Sequence, residues 1–238
     1  MRIFSKLLVA AFCLPMLLSA QESKYSMVEL SYMKPKIGME AKFEAAVKAH
    51  NEKYHKEGAY QSELFLISTG NATGWYVWVM GPVTYTELDG RPADKAHGDD
   101  WDKTISPYLE KSGRVEYWRW DEKMSNRKDN NESMIHLWFV DVERGEWYRY
   151  KALMEKVAAV HKQKDGEINV YTNELNQNDG RDVAMVFPMA GWAEFDKEDW
   201  KMKESFDAMY GEGAWDDAME EWEEIVVANV QEVWKQIK

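Results

Sequence analysis

Met27-Val28-Glu29-Leu30-Ser31-Tyr32 returns 107 residues later as Met134-Ile135-His136-Leu137-Trp138-Phe139. Both are runs of apolar and aromatic residues suited to a β-strand. A glycine follows each at the same distance, Gly38 and Gly145, and then a helical stripe begins. In the first copy the stripe is Phe43, Val47, His50 and Tyr54; in the second it is Tyr150, Met154, Val157 and His161. Spacings of four, three and four residues put each set on one helix face. Further on, 60–68 and 168–175 read as second strands ending in turn-rich segments, and 75–80 and 181–187 as third strands. A second helical region (99–109; 214–228) and a last strand (114–120; 230–236) complete each copy.

The order strand, helix, strand, strand, helix, strand, written twice, is that of the split βαβ unit. It predicts an α+β fold of tandem ferredoxin-like (βαββαβ) repeats over 27–123 and 134–238. The polar tract 124–133 reads as a linker with almost nothing to bury. Within the second copy, Met202, Phe206 and Met209 predict an inserted amphipathic helix near 198–210. In Trp75-Tyr76-Val77-Trp78-Val79-Met80 neither side of the pleat is polar. Helices cover only one face of such a sheet, so the other is expected to meet the sheet of the second copy.

Residues 1–20 differ from the rest. Arg2 and Lys6 precede an apolar run broken by Pro15, and Ser19-Ala20 supplies small residues, which predicts a secretory signal peptide and a periplasmic or secreted protein. The run is short for a bilayer crossing and no later stretch rivals it, so no stable membrane span is expected. Cys13 is the sole cysteine and lies in this leader. The exported chain would then have neither disulfides nor a thiol for catalysis or metal binding. With 30 basic against 42 acidic residues, the formal net charge is −12, which disfavours nucleic acid as a partner. No phosphate loop, HExxH or GxSxG motif is present.

The element order, the paired sheets and the strand-glycine-helix openings resemble the dimeric α+β barrel superfamily, the group that contains antibiotic-biosynthesis-type monooxygenases and NIPSNAP-like proteins. The resemblance spans 27–238 and includes no catalytic motif. It implies that one chain forms the whole barrel as an intramolecular pseudo-dimer. It also implies a ligand cavity between helices and sheet.

Candidate ligand-binding residues follow from where polar and aromatic groups fall on these elements. His50 and His161 lie on the buried stripes, where an imidazole can serve as base, haem ligand or hydrogen-bonded core residue. Tyr54 shares the first stripe. His136 and Trp138 share a pleat face of the first strand in the second copy, and Trp78 lies on a strand with two apolar faces. The pair His55-Lys56 recurs as His161-Lys162. His97-Gly98-Asp99-Asp100 offers one imidazole and two carboxylates but not three converging ligands, so no metal site is assigned, and Asp99 or Asp100 is read as a helix start. Trp75, Trp78, Trp118 and Trp120 read mainly as core, with sugar stacking as the alternative. Three functions remain open: a binder of a small apolar or aromatic ligand or of a protein partner, a monooxygenase-like or haem-dependent oxidoreductase, and a carbohydrate binder.

Overall fold

A computed structural model describes residues 25–92, 94–128, 132–175, 179–197 and 200–238; the predicted signal peptide lies outside them. The two runs that begin the copies form strands β1 (Met27–Pro35) and β5 (Met134–Val142), and the striped segments form helices α1 (Glu40–Tyr54) and α4 (Trp147–Gln163). Gly38 and Gly145 make the turns between them at φ +79° and +95°, a region that penalises any residue with a Cβ. The remaining strands of the first half are β2 (Ser62–Ile67), β3 (Tyr76–Val83) and β4 (Leu109–Trp120). Those of the second are β6 (Asn169–Asn173), β7 (Val183–Met189) and β8 (Val226–Ile237). Short α2 (Tyr85–Asp89) and α3 (Lys95–Thr104) separate β3 from β4, and α5 (Met202–Tyr210) and α6 (Ala214–Ile225) separate β7 from β8.

The eight strands close into one antiparallel barrel in the order β1-β3-β2-β8-β5-β7-β6-β4. Within each half the order is therefore the same, β4-β1-β3-β2 and β8-β5-β7-β6. The halves do more than face each other. β2 pairs with β8 and β4 with β6, so each half supplies the edge partner that the other lacks. Leu30, Phe65, Val77, Leu137, Phe139 and Trp234 line the interior. On the outside, Phe43, Val47, Met80 and Ile105 pack between sheet and helices in the first half. Tyr150, Met154, Phe206 and Ile225 do so in the second. Each such side chain contributes roughly 1.5–3 kcal/mol on leaving water.

The barrel also buries charge. Buried Glu116 of β4 accepts hydrogen bonds from Tyr32 Oη (3.2 Å) and Trp118 Nε1 (2.9 Å). It also pairs with Arg114 of its own half and, across the barrel, with Arg181 of the other.

Two expectations need correction. Met124, at the start of the predicted linker, is fully buried in the second-half core, and Asn126 bridges to Ile168, so the connector is tied down where an apolar residue was available to bury. Its residues 129–131 lie outside the described set. Strands β4 and β8 also begin several residues earlier than expected; their leading segments are largely exposed, polar in β4 and valine-rich in β8, so neither shows the alternation on which the prediction relied. The inserted helix is present as α5, with Phe206 buried and Gly211 ending it.

Candidate functional site

Helix α1 delivers His50 to the helix–sheet gap through the apolar stripe it shares with Phe43 and Val47. Five residues later His55 caps the end of the helix, and its Nδ1 lies 2.7 Å from the Tyr60 carbonyl oxygen. Helix α3 starts at Asp94, whose side chain accepts the Ala96 N–H at 2.9 Å. That start sets His97 in the first turn and Asp100 one turn on, both toward α1. Asp100 Oδ2 is 2.8 Å from His50 Nδ1, and its Oδ1 is 3.1 Å from Lys53 Nζ. His97 Nε2 is 2.9 Å from His50 Nε2 and 3.0 Å from His55 Nε2. Among the described residues, these three imidazoles form the group of His and acidic ligand atoms that converges, all within 4.8 Å of one another.

Aromatic rings wall the cluster. Trp78 lies edge-on to His55 at 4.9 Å, Trp101 edge-on to His50 at 5.2 Å, and Tyr54 beside His97 at 4.7 Å. Trp78 is held by its Nε1–H bond to Asn51 Oδ1. Burial, reinforced by the neighbouring His50 and His97, pushes the His55 imidazole down to about 4 against the hydrogen bond to Tyr60. Burial and His50 also lower His97. Hydrogen bonds from His50 and Lys53 hold the Asp100 carboxyl below its ordinary range. At neutral pH His55 and His97 are therefore uncharged and Asp100 is an anion.

His55 and His97 form part of the wall of a cleft of about 400 Å³ between α3 and the sheet, together with Met33, Trp78, Trp101 and Val115. A second space, about 490 Å³, lies inside the barrel against Leu30, Phe65, Leu137, Phe139 and Trp234, with Lys56, Arg127 and Glu167 among its lining groups.

The six candidates of the sequence reading fall into two places. His50, Tyr54 and Trp78 meet in the first-half site. In the second half, His136, Trp138 and His161 all surround Phe187 at ring-centroid distances of 6.0–6.3 Å. His136 Nε2 there meets Gln231 Oε1 at 2.9 Å, whereas His161 is buried beneath Trp200 with its Nδ1 unpartnered. His55, His97 and Asp100 were not among the six. Three ligands do converge, contrary to the expectation for the 97–100 segment: His97 is joined by His50 and His55 from α1 and its end, which sequence proximity cannot reveal. Asp100 is likewise no helix start, since Asp94 takes that place and Asp100 orients His50. The strand tryptophans form no common platform for a sugar, because Trp78 is buried beneath helices and Trp118 inside the barrel.

No family model and no curated protein sequence matches the chain. Solved structures do. A "putative monooxygenase" from Lactobacillus acidophilus has 12% identity and a TM-score of 0.58, over 90% of this chain and 95% of that one. An anthrone oxidase-like protein matches at 10% identity and TM-score 0.51, over 91% and 93%. A chlorite dismutase from Candidatus Nitrospira defluvii matches at 11% and 0.51, over 89% and 91%. At these identities the likeness is one of fold: the chain has the dimeric α+β barrel fold, closed here within a single polypeptide.

Haem, raised by the sequence reading, does not fit the residues present. One proximal imidazole would suffice to hold a haem, but the Nε2 atoms of His50, His55 and His97 are turned on one another at 2.9 and 3.0 Å, and His136 Nε2 is taken up by Gln231 Oε1 and Trp138 Nε1. The other buried histidine, His161, is covered by Trp200 at 4.3 Å, and Gly166 packs close to its Nδ1.

Proposed function

We propose that the protein is an oxidoreductase of the monooxygenase kind, which takes a small, largely apolar aromatic molecule into the first-half cleft and turns it over at the histidine cluster. The observation that carries this reading is the pairing of an apolar cleft with two uncharged imidazoles in its wall, His55 and His97, both in contact through the cluster with the Asp100-bound His50. Apolar walls with a few convergent polar groups of shifted protonation are what a small-molecule reaction site requires. The fold shared with the monooxygenase and oxidase-like structures supports the same class. The test is oxygen consumption with anthrone and with hydroquinone as probes. Substrate-dependent uptake is expected, lowered about 100-fold or more in His97→Ala, the usual scale for losing an acid–base or ligand group. His161→Ala should keep the wild-type rate. Absence of uptake in wild type across such probes would remove the reading.

A second reading, binding without turnover, is favoured by the chamber inside the barrel. It predicts displacement of an apolar fluorescent dye with no oxygen consumed. Export through the leader at 1–20, and origin by duplication of a ferredoxin-like unit, belong to the same proposal. The matching strand order of the two halves supports the duplication. Among the described residues no helix is long and apolar enough to cross a membrane.

A further inference from the structure

The hydrogen-bond partners of the cluster create a conflict that protons cannot resolve cheaply. Asp100 Oδ2 and the Tyr60 carbonyl only accept, so His50 and His55 each present an N–H at Nδ1. In neutral imidazoles this leaves a lone pair on both Nε2 atoms, and both aim at His97 Nε2 from 2.9 and 3.0 Å. His97 Nε2 carries at most one hydrogen. One of the two close N···N contacts is then lone pair against lone pair. Placing a proton in both would require His50 and His55 to be imidazolium ions side by side, in a buried site with one carboxylate.

We propose that the Nε2 atoms of His50, His55 and His97 bind one divalent ion of the late first-row transition series. A cation accepts all three lone pairs at once, and neutral imidazole suits zinc, copper, nickel and iron. The arrangement has the parts of an open tetrahedral site: three nitrogen ligands, Nδ1–H groups of two of them fixed by a carboxylate and a carbonyl, and a fourth position toward the cleft that His55 and His97 line. Tetrahedral ligand nitrogens stand about 3.3 Å apart, against 2.9 and 3.0 Å for the two contacts to His97 and no more than 4.8 Å for any pair in the cluster, so the rings must shift to close on an ion. The inference deepens the function proposed above by naming what the cluster holds, but its test does not depend on turnover.

Untagged protein, stripped with a chelator, is titrated with Zn²⁺ and with Co²⁺. One equivalent of either is expected to bind and raise Tm, with Co²⁺ giving the intense visible absorption of a four-coordinate ion. His97→Ala, chosen because His97 is only half-buried, should abolish this at unchanged circular dichroism, while His136→Ala should retain it. Asp100→Asn should weaken affinity 10–100-fold, the usual effect of losing a ligand's orienting partner. Failure of the stripped wild-type protein to bind either ion at micromolar concentration would overturn the proposal. So would wild-type binding by a folded His55→Ala/His97→Ala double variant. One bound equivalent supports the metal site whether or not oxygen is consumed, and oxygen uptake by metal-free protein supports the oxidoreductase reading without bearing on the site, so the two can fail separately.

Discussion

His161 and His50 began as equivalent candidates, each an imidazole on a buried helical stripe, and their neighbours separate them. His50 has Asp100 and His97 to hold it. His161 has only rings, and burial alone lowers its pKa from 6.5 to about 4. An unfolded imidazole takes up a proton below 6.5 that the folded one refuses, so stability falls as pH drops from about 6.5 toward 4 and levels off below that. The contribution is on the order of 2 kcal/mol, discounted from the full shift because burial is incomplete. His161→Leu should be neutral or stabilising at pH 5, because it removes an unpaired buried nitrogen. Urea midpoints at pH 7 and 4.5 check this: the loss on acidification should be smaller in the variant than in wild type.

At the scale of elements, the strand-glycine-helix opening was the most legible part of the chain, because it joins a local conformational need to a repeated pattern. A Cβ on Gly38 or Gly145 would meet nothing within 4 Å, so the positive φ alone opposes substitution. Gly38→Ala and Gly145→Ala should each destabilise by about 1–2 kcal/mol, read from thermal or urea unfolding. Other features left no such trace. The leading parts of β4 and β8 are strands through pairing rather than pattern, since their side chains face water. The histidine cluster was half visible: His50 showed itself by periodicity, while His97 and Asp100 sat in a segment whose neighbours along the chain are not its neighbours in space. Placing the helix start at Asp99 or Asp100, five or six residues after Asp94, was enough to turn Asp100 from a partner of His50 into a cap.

For the whole molecule, closure of the barrel makes stability a joint property of the two halves. That both needed cover on two sides was readable from Trp75–Met80; that their edges would also join was not, since strand register across halves depends on pairings more than fifty residues apart. Arg181 is the clearest single link, reaching Glu116 across the interior and lying 3.5 Å from the Phe139 ring centroid. Removing one partner of a buried ion pair strands the other charge. Arg181→Met should therefore cost about 3 kcal/mol, somewhat tempered by Arg114, while unfolding remains a single transition seen alike by tryptophan fluorescence and circular dichroism. Two separated transitions would mean that the halves unfold independently.

The equivalent of His50 in the second copy is Val157, and the space around it is occupied by packing from α5 and its aromatic neighbours. Two identical subunits making such a barrel would be bound to carry every substitution twice. Joined in one polypeptide, the halves are free of that constraint, so a histidine cluster can stand on one side of the barrel with a packed apolar core in the matching place on the other.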